Sequence, residues 1–310
     1  MRIALVSKTN GPVGGASYFA ENLGAWLLEA GHEVVHYCVF PKHELRAYQR
    51  QLPCVGVQAR LVRHLNWRAR QLGLVEPLPW EYWFGLRQLS GDFDLIHFHD
   101  LYMAISPRTL QAIARRQPVV LTAHDCSAFT GGCINPLGCK RFHERCGACP
   151  QAEALGRFDF TGGNLKLVRR LARCKNIAYV FPSRWIEQEA SRSLSFASPA
   201  SHIPNGFDSR NYRLRSREAA RSILGIGAEQ KVVIVSSSSL DNKLKGVIFA
   251  LRALAANKDL NPLALLIGHP SPAVEAELAG VSTRLEGFVE DRERLGLLFA
   301  AADLLLYPSL

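Results

Sequence analysis

Short apolar runs alternating with helix-period stretches constrain this chain more than any other feature. IALVS at 3–7, HEVVHYCVF at 32–40, DLIHF at 94–98 and PVVLT at 118–122 read as strands. Segments such as YFAENLGAWLLEAGH and SPRTLQAIARR carry helical periodicity between them. Repeated strand–helix alternation predicts an α/β protein with a parallel sheet wrapped by helices, whose functional groups gather at the strands' C-terminal ends. The pattern continues through TGGNLKLVRRLARCKN, IAYVFPS and a helix opened by Ser183. It is then interrupted by a turn at Pro204, Asn205 and Gly206 in a polar, basic stretch. That turn is the expected domain boundary, giving units 1–205 and 206–310. From KVVIVSSSS to DLLLYPS the alternation resumes as a second parallel sheet, without a sequence repeat linking the halves.

With 310 residues and 48% hydrophobic content, the chain can bury the cores of two domains. No apolar run reaches the length of about 18 residues that spans a bilayer. The N-terminus enters a strand directly, without the layout of a signal peptide. A cytosolic protein is expected, so the eight cysteines are thiols or metal ligands before they are disulfides. Cys38, Cys54, Cys126 and Cys174, outside any dense spacing, read as ordinary buried residues. A net charge of +10 implies attraction to polyanions: nucleic acid, an anionic membrane face or phosphorylated substrates.

The loop KTNGPVGGAS at 8–17 lies between a strand and a helix, where backbone N–H groups and a helix N-terminus can receive a phosphate. Its glycines, Gly11, Gly14 and Gly15, match neither the dinucleotide fingerprint nor the P-loop. The next strand ends without the acidic residue that holds a ribose hydroxyl, so a nicotinamide-dependent oxidoreductase is disfavoured. The plainer alternative is that these glycines only permit a tight turn.

From Arg60 to Leu89, arginines interleave with Trp67, Trp80, Trp83 and Phe84. Such a segment can lie on an anionic bilayer or grip a lipid-linked, phosphorylated acceptor, or it can pack its aromatic side on the sheet. No familiar nucleic-acid-binding module occurs, and nucleic acid is not an expected partner.

His97, His99 and Asp100 close one strand, and His124 with Asp125 closes the next. All these positions but His97, expected to be a hydrogen-bonded structural histidine, would crowd the ligand edge of an open α/β sheet. Directly after His124-Asp125, within 126–150, come five of the eight cysteines. Cys133, Cys139, Cys146 and Cys149 form C-x5-C-x6-C-x2-C in a loop rich in Gly and Pro. Four thiolates can close a structural zinc site, with free thiols or a labile disulfide as alternatives, and His143 can replace one thiolate. A catalytic zinc is disfavoured, because four protein ligands leave no open position.

Gly14-Gly15-Ala16, His124-Asp125, PSRW at 182–185, IPNGFD at 203–208, KG at 245–246 and the closing ADLLLYPSL occur in an order that resembles glycosyltransferase family 4. HDCSAFTGGC…C…CGACP is similar, more narrowly, to the colanic-acid type of exopolysaccharide glycosyltransferase. The resemblance implies a retaining nucleotide-sugar transferase of GT-B type, with two Rossmann-like domains facing a cleft. It implies that Gly14, Gly15 and Ala16 approach the donor diphosphate through backbone N–H groups. Lys245 would reach the same phosphates, and Asn205 belongs to the donor-binding set. His124 would face the donor sugar, with Asp125 orienting it or the acceptor. No catalytic metal is expected, in line with the family. The expected partners are a nucleotide-sugar donor, a lipid-linked or polysaccharide acceptor, and the anionic inner face of the cytoplasmic membrane.

Two departures stand out. Where the family commonly has glycine and arginine before its lysine, this chain has Ser236 to Ser239 and Leu240, with Lys243 as the substitute cation. The sequence also stops at Leu310, before the paired glutamates the family carries, so the expectation is a truncated chain with an incomplete second domain and an exposed apolar face. The alternative to an enzyme is a non-catalytic binding protein or remnant that keeps the acceptor domain.

Overall fold

The structure, a computed structural model, describes residues 1–12, 14–52, 91–99, 101–102, 104–151, 159–209, 215–269, 272–278 and 280–309, with positions 61, 64, 65, 67–69, 74 and 89. Asp100, Trp80, Trp83 and Phe84 therefore lie outside the described residues, whereas Trp67 is described and half-exposed. The chain divides into two compact units, Met1–Gly206 and Phe207–Leu310.

The first unit is built on a parallel sheet of β1 (Arg2–Ser7), β2 (Glu33–Cys38), β3 (Gln49–Gln51), β4 (Leu95–Phe98), β5 (Val119–Thr122), β6 (Ile177–Phe181) and β7 (Ala200–His202). Their spatial order is β3-β2-β1-β4-β5-β6-β7. Described helices are α1 (Gly15–Glu29), α2 (Pro107–Ala114), α3 (Thr161–Ala172) and α4 (Arg184–Ser193). Because successive strand residues face opposite sides, β1 feeds two cores. Ile3 and Leu5 pack with Val34 beside Leu23 and Leu27 of α1, whereas Ala4 and Val6 join the larger cluster on the other face. A strand covered on both faces must be apolar throughout, which is why IALVS shows no alternation. Helix starts follow local chemistry: Ser106 accepts from Arg108 N ahead of Pro107, and the expected Ser183 cap accepts from Ile186 N.

The second unit repeats the scheme with β8 (Val232–Ser239), β9 (Leu263–His269), β10 (Ser282–Gly287) and β11 (Leu304–Leu306), all parallel, in the order β10-β9-β8-β11. Its helices are α5 (Arg217–Leu224), α6 (Val247–Ala256), α7 (Pro272–Glu277) and α8 (Arg292–Ala301). Val233 and Val235 pack towards Val247, Leu251 and Leu254 of α6. Val232 and Ile234 pack towards Leu224 of α5 and Leu298 of α8. Buried Arg221 joins α5 to Asp303, just ahead of β11, at 2.8 Å and to the end of α8 through Ala301 O at 3.0 Å. Leu304 and Leu305 of β11 are about half exposed.

Strand order fixes where ligands can enter. In the first sheet the chain leaves β1 towards β2 on one side and β4 on the other, so the switch point lies between β1 and β4. Open α/β sheets bind ligands in the crevice outside such a point, at the strands' C-terminal ends. In the second sheet the same logic selects the ends of β8 and β11.

Candidate active site

The loop leaving β1 is held from several directions. Gly11 N–H donates to Glu21 Oε2 at 2.6 Å, and the buried Glu21 carboxylate also pairs with Arg46 at 2.8 Å. Asn10 Oδ1 accepts from Lys42 N and His43 N, and Thr9 N donates to Ser17 Oγ. Gly11 sits at φ 72, and a Cβ there would lie 2.3 Å from the His43 ring, so glycine is required. Gly14 and Gly15 differ. A Cβ on either would meet nothing within 4 Å, so packing within the described residues does not demand glycine there, and only Gly14, at φ 158, has a backbone that favours it. Both are exposed and open α1 without a capping side chain or an acidic residue in the first turn. Backbone donors and the positive end of the helix dipole are thus presented outward, with Ala16 following, partly buried.

Phe19, one turn into α1, connects this helix end to the histidines. Its ring meets His124 edge-on at 5.7 Å and His99 at 5.8 Å. His99, just past β4, bonds through Nδ1 to His124 Nε2 at 3.2 Å. His97 stacks on His99 at 4.1 Å and bonds through Nε2 to Thr122 Oγ1 at 2.7 Å, which makes it the structural histidine anticipated from sequence. Desolvation lowers the His97 pKa to about 3, and burial followed by its histidine neighbours holds His99 well below the ordinary imidazole range. Both are therefore neutral at physiological pH.

His99 Nε2 is buried without a partner. A bare lone pair there is tolerated better than an orphaned N–H. We therefore assign the His99 proton to Nδ1, donating to His124 Nε2 and leaving His124 with its own proton on Nδ1. Partly buried His124 thus carries its N–H on Nδ1 at the strand edge. Asp125 has local work: its Oδ1 accepts from Ser127 N at 2.8 Å and caps the turn Cys126–Ala128 that begins the cysteine loop.

The loop itself is pinned from outside. Arg169 bonds to the carbonyls of Phe142, His143 and Glu144, and Ser193 Oγ bonds to those of Phe129 and Phe142. His143 Nε2 meets Glu189 Oε2 at 2.9 Å, and Glu189 also pairs with Arg192. His143 is not among the residues lining the cavity of the four thiols. Cys133, Cys139, Cys146 and Cys149 are free, partly buried thiols that all line one cavity of about 190 Å³. As placed, no three His, Cys, Asp or Glu among the described residues form a group that can hold a metal ion. Burial pushes the Cys146 thiol up to about 11 and raises Cys133.

In the second unit, Asn242 Oδ1 accepts from Leu244 N and opens the short turn Lys243–Lys245 beyond β8. Gly246 (φ 62) lies so close to Pro308 O that a Cβ would be 1.9 Å from it, tying KG to the segment after β11. Lys245 Nζ lies 5.5 Å from the Tyr307 ring centroid, and Lys243 is exposed. Both lysines thus stand at this sheet's own switch point. Asn205 is exposed in the coil after β7. Sequence reasoning missed Glu21 and Phe19. For Glu21 a signal existed: it shares the buried face of α1 with Ser17, Ala20 and Gly24 at helical spacing.

Two α/β units with all-parallel sheets are the class of fold found in GT-B glycosyltransferases. The chain belongs to Glycosyltransferase Family 4, whose sequence profile matches residues 13–211. Among solved structures, it is similar to WaaG, a glycosyltransferase involved in lipopolysaccharide biosynthesis, with TM-score 0.62, 18% identity, and coverage of 99% of this chain and 75% of that one. Anabaena Alr3699/HepE in complex with UDP and glucose aligns with TM-score 0.59, 18% identity, and coverage of 100% and 74%. The catalytic domain of Starch Synthase IV from Arabidopsis thaliana, bound to ADP and acarbose, aligns with TM-score 0.56, 16% identity, and coverage of 100% and 78%. At such identities the likeness shows the fold. No curated protein sequence matches the chain significantly. Among the described residues no helix is long and apolar enough to cross a membrane.

Proposed function

We propose that this family 4 glycosyltransferase moves a sugar from a nucleotide-sugar donor to a lipid-linked or polysaccharide acceptor, with retention at the anomeric carbon. Its place would be exopolysaccharide assembly of the colanic-acid type, at the cytoplasmic membrane face. The observation that carries the proposal is the edge where α1's uncapped N-terminus, Phe19 and the His99–His124 pair come together beside the β1/β4 switch point. In the reaction the bond from the anomeric carbon to the diphosphate oxygen breaks and a bond to the acceptor hydroxyl forms, the hydroxyl proton leaving with the diphosphate or to solvent. Negative charge grows on the leaving group, and preorganised donors lower the barrier. Backbone N–H groups at Gly14–Ala16, the His124 N–H and the cations Lys243 and Lys245 are donors of the required kind. Net charge +10 and the arginine–tryptophan segment suit an anionic membrane and a phosphorylated acceptor.

The serines at 236–239, standing where the family commonly has a cation, favour one alternative, a binding protein without turnover. Thermal melting against a panel of nucleoside diphosphates and nucleotide sugars tests the proposal, since a ligand at 100 times its Kd stabilises by about 2.7 kcal/mol. Raised melting temperature with one donor, followed by transfer that His124→Ala abolishes while the fold stays intact, is expected. No shift with any nucleotide at millimolar concentration would sink the proposal.

A further inference from the structure

The cysteine loop does no work in the function proposed above, yet four of its thiols surround one cavity. Cys133, Cys139, Cys146 and Cys149 line it together with Phe142 and Arg141. Each is within electrostatic reach of others of the four: Cys146 feels Cys133, Cys149 and Cys139, and Cys133 feels Cys149 and Cys139. Their convergence is built by the backbone. Gly131 lies so close to the Cys146 thiol that a Cβ would be 2.9 Å from Sγ, and a Cβ on Gly162 would be 2.7 Å from Cys146 O. Cys146 is thereby pressed against the strand of loop that leads to Cys133. Asp159 Oδ2 accepts from Cys149 N at 2.6 Å, and Thr130 Oγ1 donates to Cys133 O at 2.9 Å.

Between Cys146 and Cys149 the turn is locked. Arg141 Nη1 bonds to Gly147 O at 2.9 Å and Ala148 O at 2.6 Å. Ala148 is held at φ 45, a left-handed conformation that a residue with a Cβ keeps only where its surroundings fix it. Such strain accompanies functional sites, and a Cys-x2-Cys turn is a common metal-binding element.

We propose that Cys133, Cys139, Cys146 and Cys149 bind one zinc ion in this cavity, as a structural clamp on the loop that starts at His124-Asp125. The four thiols give up their protons to solvent and ligate as thiolates. Zn–S bonds of about 2.3 Å set neighbouring sulfurs roughly 3.8 Å apart, so the thiols close inward from the cavity wall, where they do not yet form a ligand set. All-thiolate tetrahedral coordination favours zinc over harder divalent ions and leaves no position for substrate. The loop's own secondary structure is limited to two single-turn helices, Cys126–Ala128 and Arg141–His143, so the metal would add an internal tie to the outside bonds from Arg169 and Ser193. The proposal is independent of any role for His124.

The full chain purified without chelator is expected to contain about one equivalent of zinc, and its cobalt form should show tetrahedral d–d bands with intense thiolate charge transfer. Removing the metal from the wild type should lower the melting temperature, with recovery on adding Zn2+ but not Mg2+. Cys146→Ser and Cys149→Ser should each lose the metal, whereas Cys174→Ser should keep it. Substoichiometric metal with four freely titrating thiols, a disulfide within the loop, an iron–sulfur spectrum, or equal metal loss in Cys174→Ser would each overturn the proposal. If a serine variant fails to fold, the chelation experiment on the wild type decides.

Discussion

Replacing His99 by leucine separates the part of the histidine cluster that holds the fold from the part that aims His124. The His99 side chain makes one described hydrogen bond, Nδ1 to His124 Nε2, and leaves Nε2 buried without a partner. Losing the bond costs about 0.5–1.5 kcal/mol, and removing an unsatisfied buried polar atom returns about 1 kcal/mol or more. Leucine keeps an apolar body of similar size against Phe19 and His97. Net stability should therefore change by less than about 1.5 kcal/mol, measured by urea unfolding. His124, by contrast, loses the partner that sets its tautomer. In the wild type its ring nitrogens should give 15N shifts of a single Nδ1-protonated form. In His99→Leu they should move towards the averaged values of exchanging tautomers, and turnover should fall more than donor KM changes. A loss above about 3 kcal/mol with unchanged His124 shifts would refute the reasoning and make His99 a packing residue.

Gly15→Val tests whether the helix end serves a ligand: with nothing within 4 Å of an added Cβ, the melting temperature should hold while stabilisation by a nucleoside diphosphate disappears. Asp125→Ala should cost about 1 kcal/mol through the lost cap, and Asp125→Asn much less, by chemical denaturation. If both are equally stable, the cap is unimportant. Asp303 has its pKa lowered, chiefly by the hydrogen bond from Val232 N and then by Arg221 despite opposing desolvation. Its contribution is present above the unfolded-state carboxylate pKa and is lost as pH falls through the lower folded value. Asp303→Asn should therefore lower stability at neutral pH and flatten its decline in acid, and an unchanged acid limb would contradict this linkage.

Much of the architecture was legible because it is written in local chemistry. Continuous apolar runs mark strands covered on both faces, Ser183 marks a helix start, and Gly11 in its left-handed turn marks a loop that no other residue fits. His124 could be placed at a strand end for the same reason. Its partner could not be recognised, because His99 precedes it by 25 residues and the two meet only when β4 pairs with β5. Asp125 also caps a turn, because a short acidic side chain readily bonds a nearby backbone N–H. Nor could the sequence show that α4 brings Glu189 to His143, 46 residues away.

By itself, then, the sequence determined two runs of strand–helix alternation, a glycine loop without a dinucleotide fingerprint, a strand-end histidine and four clustered cysteines, the last two with the C-x2-C spacing of a metal knuckle. Each depends on periodicity, backbone freedom or ligand chemistry over a few neighbouring residues. Tertiary structure alone decided the strand orders, and with them the two switch points that bring α1's N-terminus near His124 and set Lys245 beside Tyr307. It also decided that four spaced thiols share one cavity. The physical reason is that strand order is selected by packing of two helix layers on each sheet, a choice made among distant segments that no local pattern specifies.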